Sequence, residues 1–358
     1  MFIFEAVNFA IPVVYVISFI LSFLAVALIL RLSHRYKWYD HVNDRKIHDG
    51  DIPRLGGIGF AAAFFIVVVA IFLVYREAEA NLHNLLILFA LLFILVFGII
   101  DDFRPIKPHY KLFVQIIAAV LVIIPGFIFR RIGYFSIGVF PELLGYAITL
   151  FWFVGITNAI NLIDGLDGLA GGISCLIALF FGLIFFYYGN NLIFVLFCTA
   201  LVGVISGFLI FNVPFPKAKI FMGDCGSQFL GFSLALLPLL ELQNSPTALP
   251  LPYAAALFLI PIFDTIAAVW RRIRDGISIH TPDKSHVHHK LINLGLSVRL
   301  VNVILCGLQI ILGVLVFISI RLEGVLSLYV LGVAYLKVII FFTTVHYMNR
   351  ALQKNKKL

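Results

Sequence analysis

Residues Asn158 to Gly172 read Asn-Ala-Ile-Asn-Leu-Ile-Asp-Gly-Leu-Asp-Gly-Leu-Ala-Gly-Gly. One apolar run enters this segment from Leu143, and another leaves it through Ile173 to Tyr188. Each run approaches the roughly 20 residues that a helix needs to cross hydrocarbon. Between them stand Asn158, Asn161, Asp164, Asp167 and four glycines, with no positive charge. Carboxylates beside hydrocarbon are costly, so acidic residues at such a boundary are candidates for function. Taken alone, the segment reads equally well as a solvated turn with asparagine and aspartate as caps. The rest of the chain decides between the two.

The 358 residues are 62% hydrophobic and 12% charged, with a mean hydropathy of +1.07. An ordinary soluble domain is about half apolar, and this chain has too little polar sequence to cover a soluble core. The expected fold is all-α: a polytopic integral membrane protein, read as one domain over 1–358. About eleven spans follow from the apolar runs, at 11–31, 55–75, 83–100, 111–129, 141–157, 171–188, 192–211, 227–242, 251–270, 298–320 and 324–347. The loops 32–54, 101–110, 158–170, 212–226 and 271–297 then share one side with the C-terminal tail. That side holds nearly all the lysine and arginine, against Arg76, Arg130, Arg131 and Arg321 opposite. The positive-inside rule makes it cytoplasmic, with the N-terminus outside and the C-terminus inside. The net charge of +8 therefore reports orientation and is no argument for nucleic acid. Cys175, Cys198, Cys225 and Cys306 have neither disulfide nor zinc-ribbon spacing. The N-terminus lacks the basic start and short apolar run of a cleavable signal.

The acidic residues crowd the same side, which orientation does not require. Asp101-Asp102 closes the third span; a helix C-terminus favours cations, so the pair calls for a compensating metal or cationic substrate group. Lys111 opens the next helix and could return across the loop to a phosphate. Asp224, in Phe221-Met-Gly-Asp-Cys-Gly-Ser, stands at a helix start, where a carboxylate could meet a divalent cation while backbone amides meet phosphate. An ordinary N-cap is the alternative. His286, His288 and His289 lie in a polar loop with Lys284 and Lys290; they suit phosphate or sugar hydroxyls better than zinc, because the ligand spacing and thiolates are lacking. Lys46, His48 and Arg54, in the first loop, could hold an anionic headgroup at the membrane surface. Asp264, after Pro261 in the ninth span, lies about 9–10 Å inside the boundary by helical rise, which makes it a functional candidate, and Lys337 lies deeper with no motif around it. No inverted repeat of the transporter kind is visible.

Together these motifs resemble the polyprenyl-phosphate N-acetylhexosamine-1-phosphate transferases of glycosyltransferase family 4. The resemblance rests on Asp44-Arg-Lys-Ile-His with Pro53-Arg-Leu-Gly-Gly, Asp101-Asp102, Asn161-Leu-Ile-Asp-Gly-Leu-Asp-Gly-Leu, Gly223-Asp-Cys-Gly-Ser and His286-Val-His-His. They stand in family order from about residue 40 to 295. The histidine loop looks like that of bacterial undecaprenyl-phosphate N-acetylglucosamine-1-phosphate transferases, rather than the muramoyl-pentapeptide or dolichol branches.

The resemblance implies transfer of a sugar 1-phosphate from a UDP-sugar to a lipid phosphate, with release of UMP, at the cytoplasmic face of a bacterial inner membrane. It makes Asp224 a Mg²⁺ ligand (Mn²⁺ being an alternative) with Asn161 close to the metal. Lys111 would meet the pyrophosphate, and Asp167 the uracil. Asp101 and Asp102 would lie where lipid phosphate meets nucleotide, with His286, His288 and His289 along the pyrophosphate and sugar. Asp164 is a further participant, whereas Asp264 receives no role. UDP-GlcNAc and undecaprenyl phosphate are the expected substrates; another UDP-HexNAc, 6-deoxy or muramoyl-pentapeptide, is the alternative donor. The product would feed an envelope glycan such as O-antigen or teichoic acid. Family members also form homodimers. A lipid or nucleotide-sugar transporter is the competing class, for which ionisable groups near the midplane or on both faces are expected.

Overall fold

The computed structural model describes residues 2–39, 52–75, 82–129, 142–188, 192–213, 215, 217–240, 249–278 and 285–355. Among the described residues the regular secondary structure is helical, apart from one isolated bridge between Tyr39 and Pro53. The helices are α1 (Phe2–Tyr36), α2 (Gly56–Tyr75), α3 (Leu82–Phe103), α4 (Pro108–Ile123), α5 (Glu142–Ile163), α6 (Leu169–Tyr187) and α7 (Leu192–Asn212). There follow α8 (Gly223–Leu240), α9 (Leu251–Leu257), α10 (Leu259–Arg274), α11 (Val287–Asn293), α12 (Val298–Arg321) and α13 (Gly324–Asn355). Eight of them are long and apolar enough to cross a bilayer, or nine if the bent pair α9 and α10 counts as one span. Large apolar side chains cover the outside; Phe151, for example, is 79% exposed.

Helix α8 is the central post. It packs against α2, α3, α5 and α6, and every residue from Cys225 to Leu240 is buried. Small residues bring the neighbours in. A Cβ on Gly57 of α2 would lie 2.3 Å from the Gly226 nitrogen, and one on Gly98 of α3 would lie 2.5 Å from the Cys225 Cα. Glycines at helix crossings permit such backbone contact where lipid gives no hydrophobic driving force. Phe229 of α8 then packs edge-on against Phe64 of α2, their ring centroids 5.5 Å apart.

Two expected boundaries are corrected. The fourth span was expected to reach residue 129, but α4 ends at Ile123. Pro125 has no N–H to continue the ladder, and Gly126 turns the chain with φ 97°. The polar segment at 158–170 contracts to a turn over 164–168, because α5 runs on to Ile163. Asn158 is accommodated in that helix by donating to the Val154 carbonyl, at 2.8 Å, and to Gln115, at 2.6 Å.

The span at 251–270 is not straight: α9 and α10 meet at 86°. Pro261 cannot donate to the Leu257 carbonyl, and its ring would clash there in a continuous helix. The freed carbonyl accepts instead from Nε2 of the buried Gln309 on α12, at 2.9 Å. Asp264 lies on α10, beyond the bend.

Candidate active site

The C-terminal end of α3 meets the N-terminal end of α8 through one carboxylate. Asp102 accepts the backbone N–H of Asp224 at Oδ1, 2.9 Å, and that of Cys225 at Oδ2, 3.0 Å. These are orphan donors at a helix start, where an anion is favoured. Gly223, with φ 76°, makes the entry turn; a Cβ there would lie 2.1 Å from the Arg54 carbonyl and 2.7 Å from Asp102 Oδ2. Only glycine takes this conformation without strain.

The segment before α2 is fastened to the segment before α8. Phe221 donates its N–H to the Pro53 carbonyl at 2.7 Å, and Gly56 and Gly57 donate theirs to Phe221 and Met222 at 3.0 and 2.8 Å. This delivers Arg54 to Asp102: its Nη2 lies 2.7 Å from the Asp102 carbonyl and 3.3 Å from Oδ1.

Asp224 projects beside this junction. Its Oδ2 accepts from Lys111 Nζ at 2.8 Å, and its Oδ1 accepts from Asn161 Nδ2 at 2.9 Å. Lys111 also pairs with Asp101, whose Oδ1 takes the Ile106 N–H at 2.8 Å. Asn161 donates further to Ser227, at 2.8 Å. One turn deeper, Gln115, Asn158 and Gln228 form an amide layer on the same three helices, α4, α5 and α8.

The turn 164–168 closes one side of the cluster. The half-buried Asp164 is pushed up to about 8 by desolvation, and then by the negative charges of Asp224, Asp102 and Asp167. Gly168 donates its N–H to Asn212 Oδ1 at 2.8 Å, and Asn302 Nδ2 holds the Asp167 carbonyl at 2.7 Å. The backbone beside Asp167 is thus fixed from α7 and α12.

The histidines lie on and before α11, which docks on this turn. A Cβ on Gly165 would lie 2.3 Å from His288 Nε2. His286 and His288 stack with centroids 5.7 Å apart, and His288 lies 4.3 Å from His289. His288 is 1% exposed, and neither ring nitrogen has a hydrogen-bond partner among the described residues. Burial, then the neighbouring His289, lowers its pKa to about 3. It is therefore neutral at pH 7 and offers a hydrogen bond rather than a positive charge. Asp264 of α10 meets the same loop: Oδ2 lies 2.8 Å from His286 Nδ1, and Oδ1 accepts the Val287 N–H at 2.7 Å.

This arrangement has counterparts in known proteins. A profile of glycosyl transferase family 4 matches residues 84–241. A probable undecaprenyl-phosphate N-acetylglucosaminyl 1-phosphate transferase of Bacillus subtilis (strain 168) is 37% identical over 297 residues, covering 80% of this chain and 79% of that protein. Undecaprenyl-phosphate alpha-N-acetylglucosaminyl 1-phosphate transferases are also similar. That of Yersinia pestis is 31% identical over 80% of this chain and 77% of its own length. That of Escherichia coli (strain K12) is 32% identical over 73% and 70%. The chain belongs to glycosyl transferase family 4.

The family motifs quoted from the sequence are largely brought together. Asp101, Asp102, Lys111, Asn161, Asp224 and Arg54 form one hydrogen-bonded cluster, with Asp164 close by. Asp167 belongs to the adjoining turn, and His286, His288 and His289 to the loop packed on it. Lys46, His48 and Lys284 lie outside the described residues. Lys337 is exposed on α13.

Two sequence readings change. The Asp101-Asp102 pair is compensated by Lys111, Arg54 and backbone amides of the chain itself. The α8 amides of Asp224 and Cys225, expected to meet phosphate, are engaged by Asp102. Asp264 is the residue whose role sequence reasoning missed; the signal was an acidic residue inside an apolar stretch just after Pro261.

Among the described residues, no three His, Cys, Asp or Glu side chains are grouped to hold a metal. Mg²⁺ uses one or two carboxylates together with substrate phosphates and water, so it does not require such a group. Asp224, with Asn161 beside it, offers oxygen donors of the kind that a hard cation takes.

Proposed function

We propose that this chain transfers N-acetylglucosamine 1-phosphate from UDP-GlcNAc to undecaprenyl phosphate, giving undecaprenyl-pyrophosphoryl-GlcNAc and UMP. The observation that carries the reading is the Asp101–Lys111–Asp224 cluster, a cation bridging two carboxylates at the meeting of helix ends in an apolar bundle. The names of the relatives supply the substrates.

In this reading an oxygen of the lipid phosphate attacks the β-phosphorus in line. The bond from that phosphorus to the bridging oxygen breaks, and UMP leaves with the electron pair. A phosphate monoester has a second pKa near 6, so the acceptor is largely dianionic at neutral pH and needs little help from a base. The larger barrier is the approach of one anion to another, which cationic groups relieve. Lys111 neutralises phosphate oxygen charge. Asp224, oriented by Asn161, would hold Mg²⁺, which when bound would supply further neutralisation. Asp101 orients Lys111, and Asp102 holds the start of α8. Asp167 reads the uracil, while His286, His288 and His289 line the sugar and pyrophosphate.

Full topology belongs to the same proposal. Helices α4 and α8 serve as two further spans beyond the nine, with the N-terminus outside and the site facing the cytoplasm of a bacterial inner membrane. Its support is the basic excess on that side, including Arg271, Arg272 and Arg274 in the last turn of α10. Clustering of the described acidic site residues at one end of the bundle favours transfer over transport. Purified protein in detergent, offered UDP-GlcNAc, undecaprenyl phosphate and Mg²⁺, is expected to release UMP; failure with every UDP-HexNAc would remove the enzyme reading.

A further inference from the structure

Most residues of the cluster around Asp224 were legible as motifs, but Asp264 was not. It is 2% exposed on α10, shortly after the break that Pro261 imposes. A carboxylate so placed in an apolar bundle needs partners, and both of its oxygens have one. Oδ1 takes the N–H of Val287, the first residue of α11, at 2.7 Å. Oδ2 takes the His286 ring at Nδ1, 2.8 Å. His286 is itself 5% exposed. A single carboxylate therefore fixes both the backbone direction and the ring rotation of one histidine.

Fixing Nδ1 decides the chemistry of the other nitrogen. In neutral imidazole one nitrogen carries the proton, and the hydrogen bond of the first sets the state of the second. With the Nδ1 proton given to Asp264, Nε2 faces away from the carboxylate as an acceptor, or as a charge-assisted donor if the ring takes a second proton. His288 cannot share the latter role, since burial keeps it neutral. The position of His286 also reaches the rest of the site: its ring stacks on His288, and His288 packs on Gly165 of the turn that carries Asp164 and Asp167.

We propose that Asp264 is a positioning residue, whose carboxylate locks His286 with its proton on Nδ1 and so fixes the nitrogen that His286 presents to the sugar phosphate. The inference rests on the transferase reading for its consequence in turnover, but not for its geometry.

The test has two arms. In the first, the full chain with ring-¹⁵N histidine is examined by NMR in lipid nanodiscs, with the His286 signals assigned by loss in His286→Gln. Protonation at Nδ1 is expected in the wild type and should be lost in Asp264→Asn. One amide oxygen cannot serve both Val287 and His286. A wild-type His286 protonated only at Nε2, or a spectrum unchanged in Asp264→Asn, would overturn the proposal.

The second arm is a kinetic cycle of Asp264→Asn, His286→Gln and the double variant. Asp264→Asn should lower kcat roughly 10- to 100-fold, the usual scale for a group that orients a functional histidine. Its donor KM and melting temperature should be little changed, and it should cost nothing further in the His286→Gln background. Multiplying losses would overturn the proposal. If Asp264→Asn does not fold, Asp264→Glu takes its place in both arms: a displaced carboxylate should lower kcat only when His286 is present, and wild-type kcat would overturn it. Wild-type protein that releases no UMP would instead sink the transferase reading, leaving the NMR arm to decide the geometry.

Discussion

The Asp102 carboxylate accepts the backbone N–H groups of Asp224 and Cys225, joining the end of α3 to the start of α8 at 2.9 and 3.0 Å. This junction sets where Asp224 stands relative to Lys111, because the first turn of α8 cannot rotate without breaking both bonds. Arg54 balances the buried charge. Asp102→Ala should therefore leave two amides and a guanidinium without their anion. Removing one partner from a buried pair costs ~3–5 kcal/mol, read as a fall in melting temperature in detergent. Displacement of Asp224 should lower kcat about 100-fold in whatever protein remains folded. Wild-type stability in Asp102→Ala would refute the junction.

Asp224→Ala should abolish turnover while the protein still inserts and melts cooperatively. Substantial activity of this variant at saturating Mg²⁺ would exclude a metal role for Asp224. Removal of divalent cations from the wild type by chelation should likewise stop UMP release, and Mg²⁺ should restore it.

Asp167→Ala should weaken the donor more than the acceptor. The expected readout is a raised KM for UDP-GlcNAc with the undecaprenyl phosphate KM unchanged. Unaltered donor KM and kcat would take uracil recognition away from Asp167.

Gly165→Ala inserts a methyl group 2.3 Å from His288 Nε2. It should push α11 off the turn and lower kcat by at least about tenfold, since small misplacements of functional groups are costly. Activity within twofold of wild type would show that this contact does not matter.

Gln309→Leu tests the bend between α9 and α10 without touching the cluster. It leaves the Leu257 carbonyl buried and unpaired, a loss of about 1–3 kcal/mol, with kcat of the folded enzyme within twofold of wild type. An unchanged melting temperature would mean that Gln309 does not support the break.

The helical membrane character was legible because apolar runs near bilayer length leave few other folds. One-sidedness of Asp101, Asp102, Asn161 and Asp224 was legible too, since span parity alone puts them at the same end. The pairing among them was not. Asp102 and Asp224 are 122 positions apart, and no local rule says that one carboxylate caps the helix bearing the other. Asp264 was visible only as an oddity, because its partner His286 lies on a separate helix-loop unit. The 86° bend was marked by Pro261, yet a proline within a span does not by itself set the angle of the break. Gln309, which stabilises the bent form, lies far along the chain and gives no sequence signal of its own.

The central claim is that the β-phosphorus leaves UDP and arrives on the lipid together with the sugar. UDP-GlcNAc labelled on that phosphorus and, separately, on the sugar should be offered to the purified protein with undecaprenyl phosphate and Mg²⁺. Both labels are predicted to appear in the lipid in equal amounts, with unlabelled UMP released and neither event in Asp224→Ala. Sugar label in the lipid with phosphorus label left in UDP, or donor recovered intact, would contradict the account.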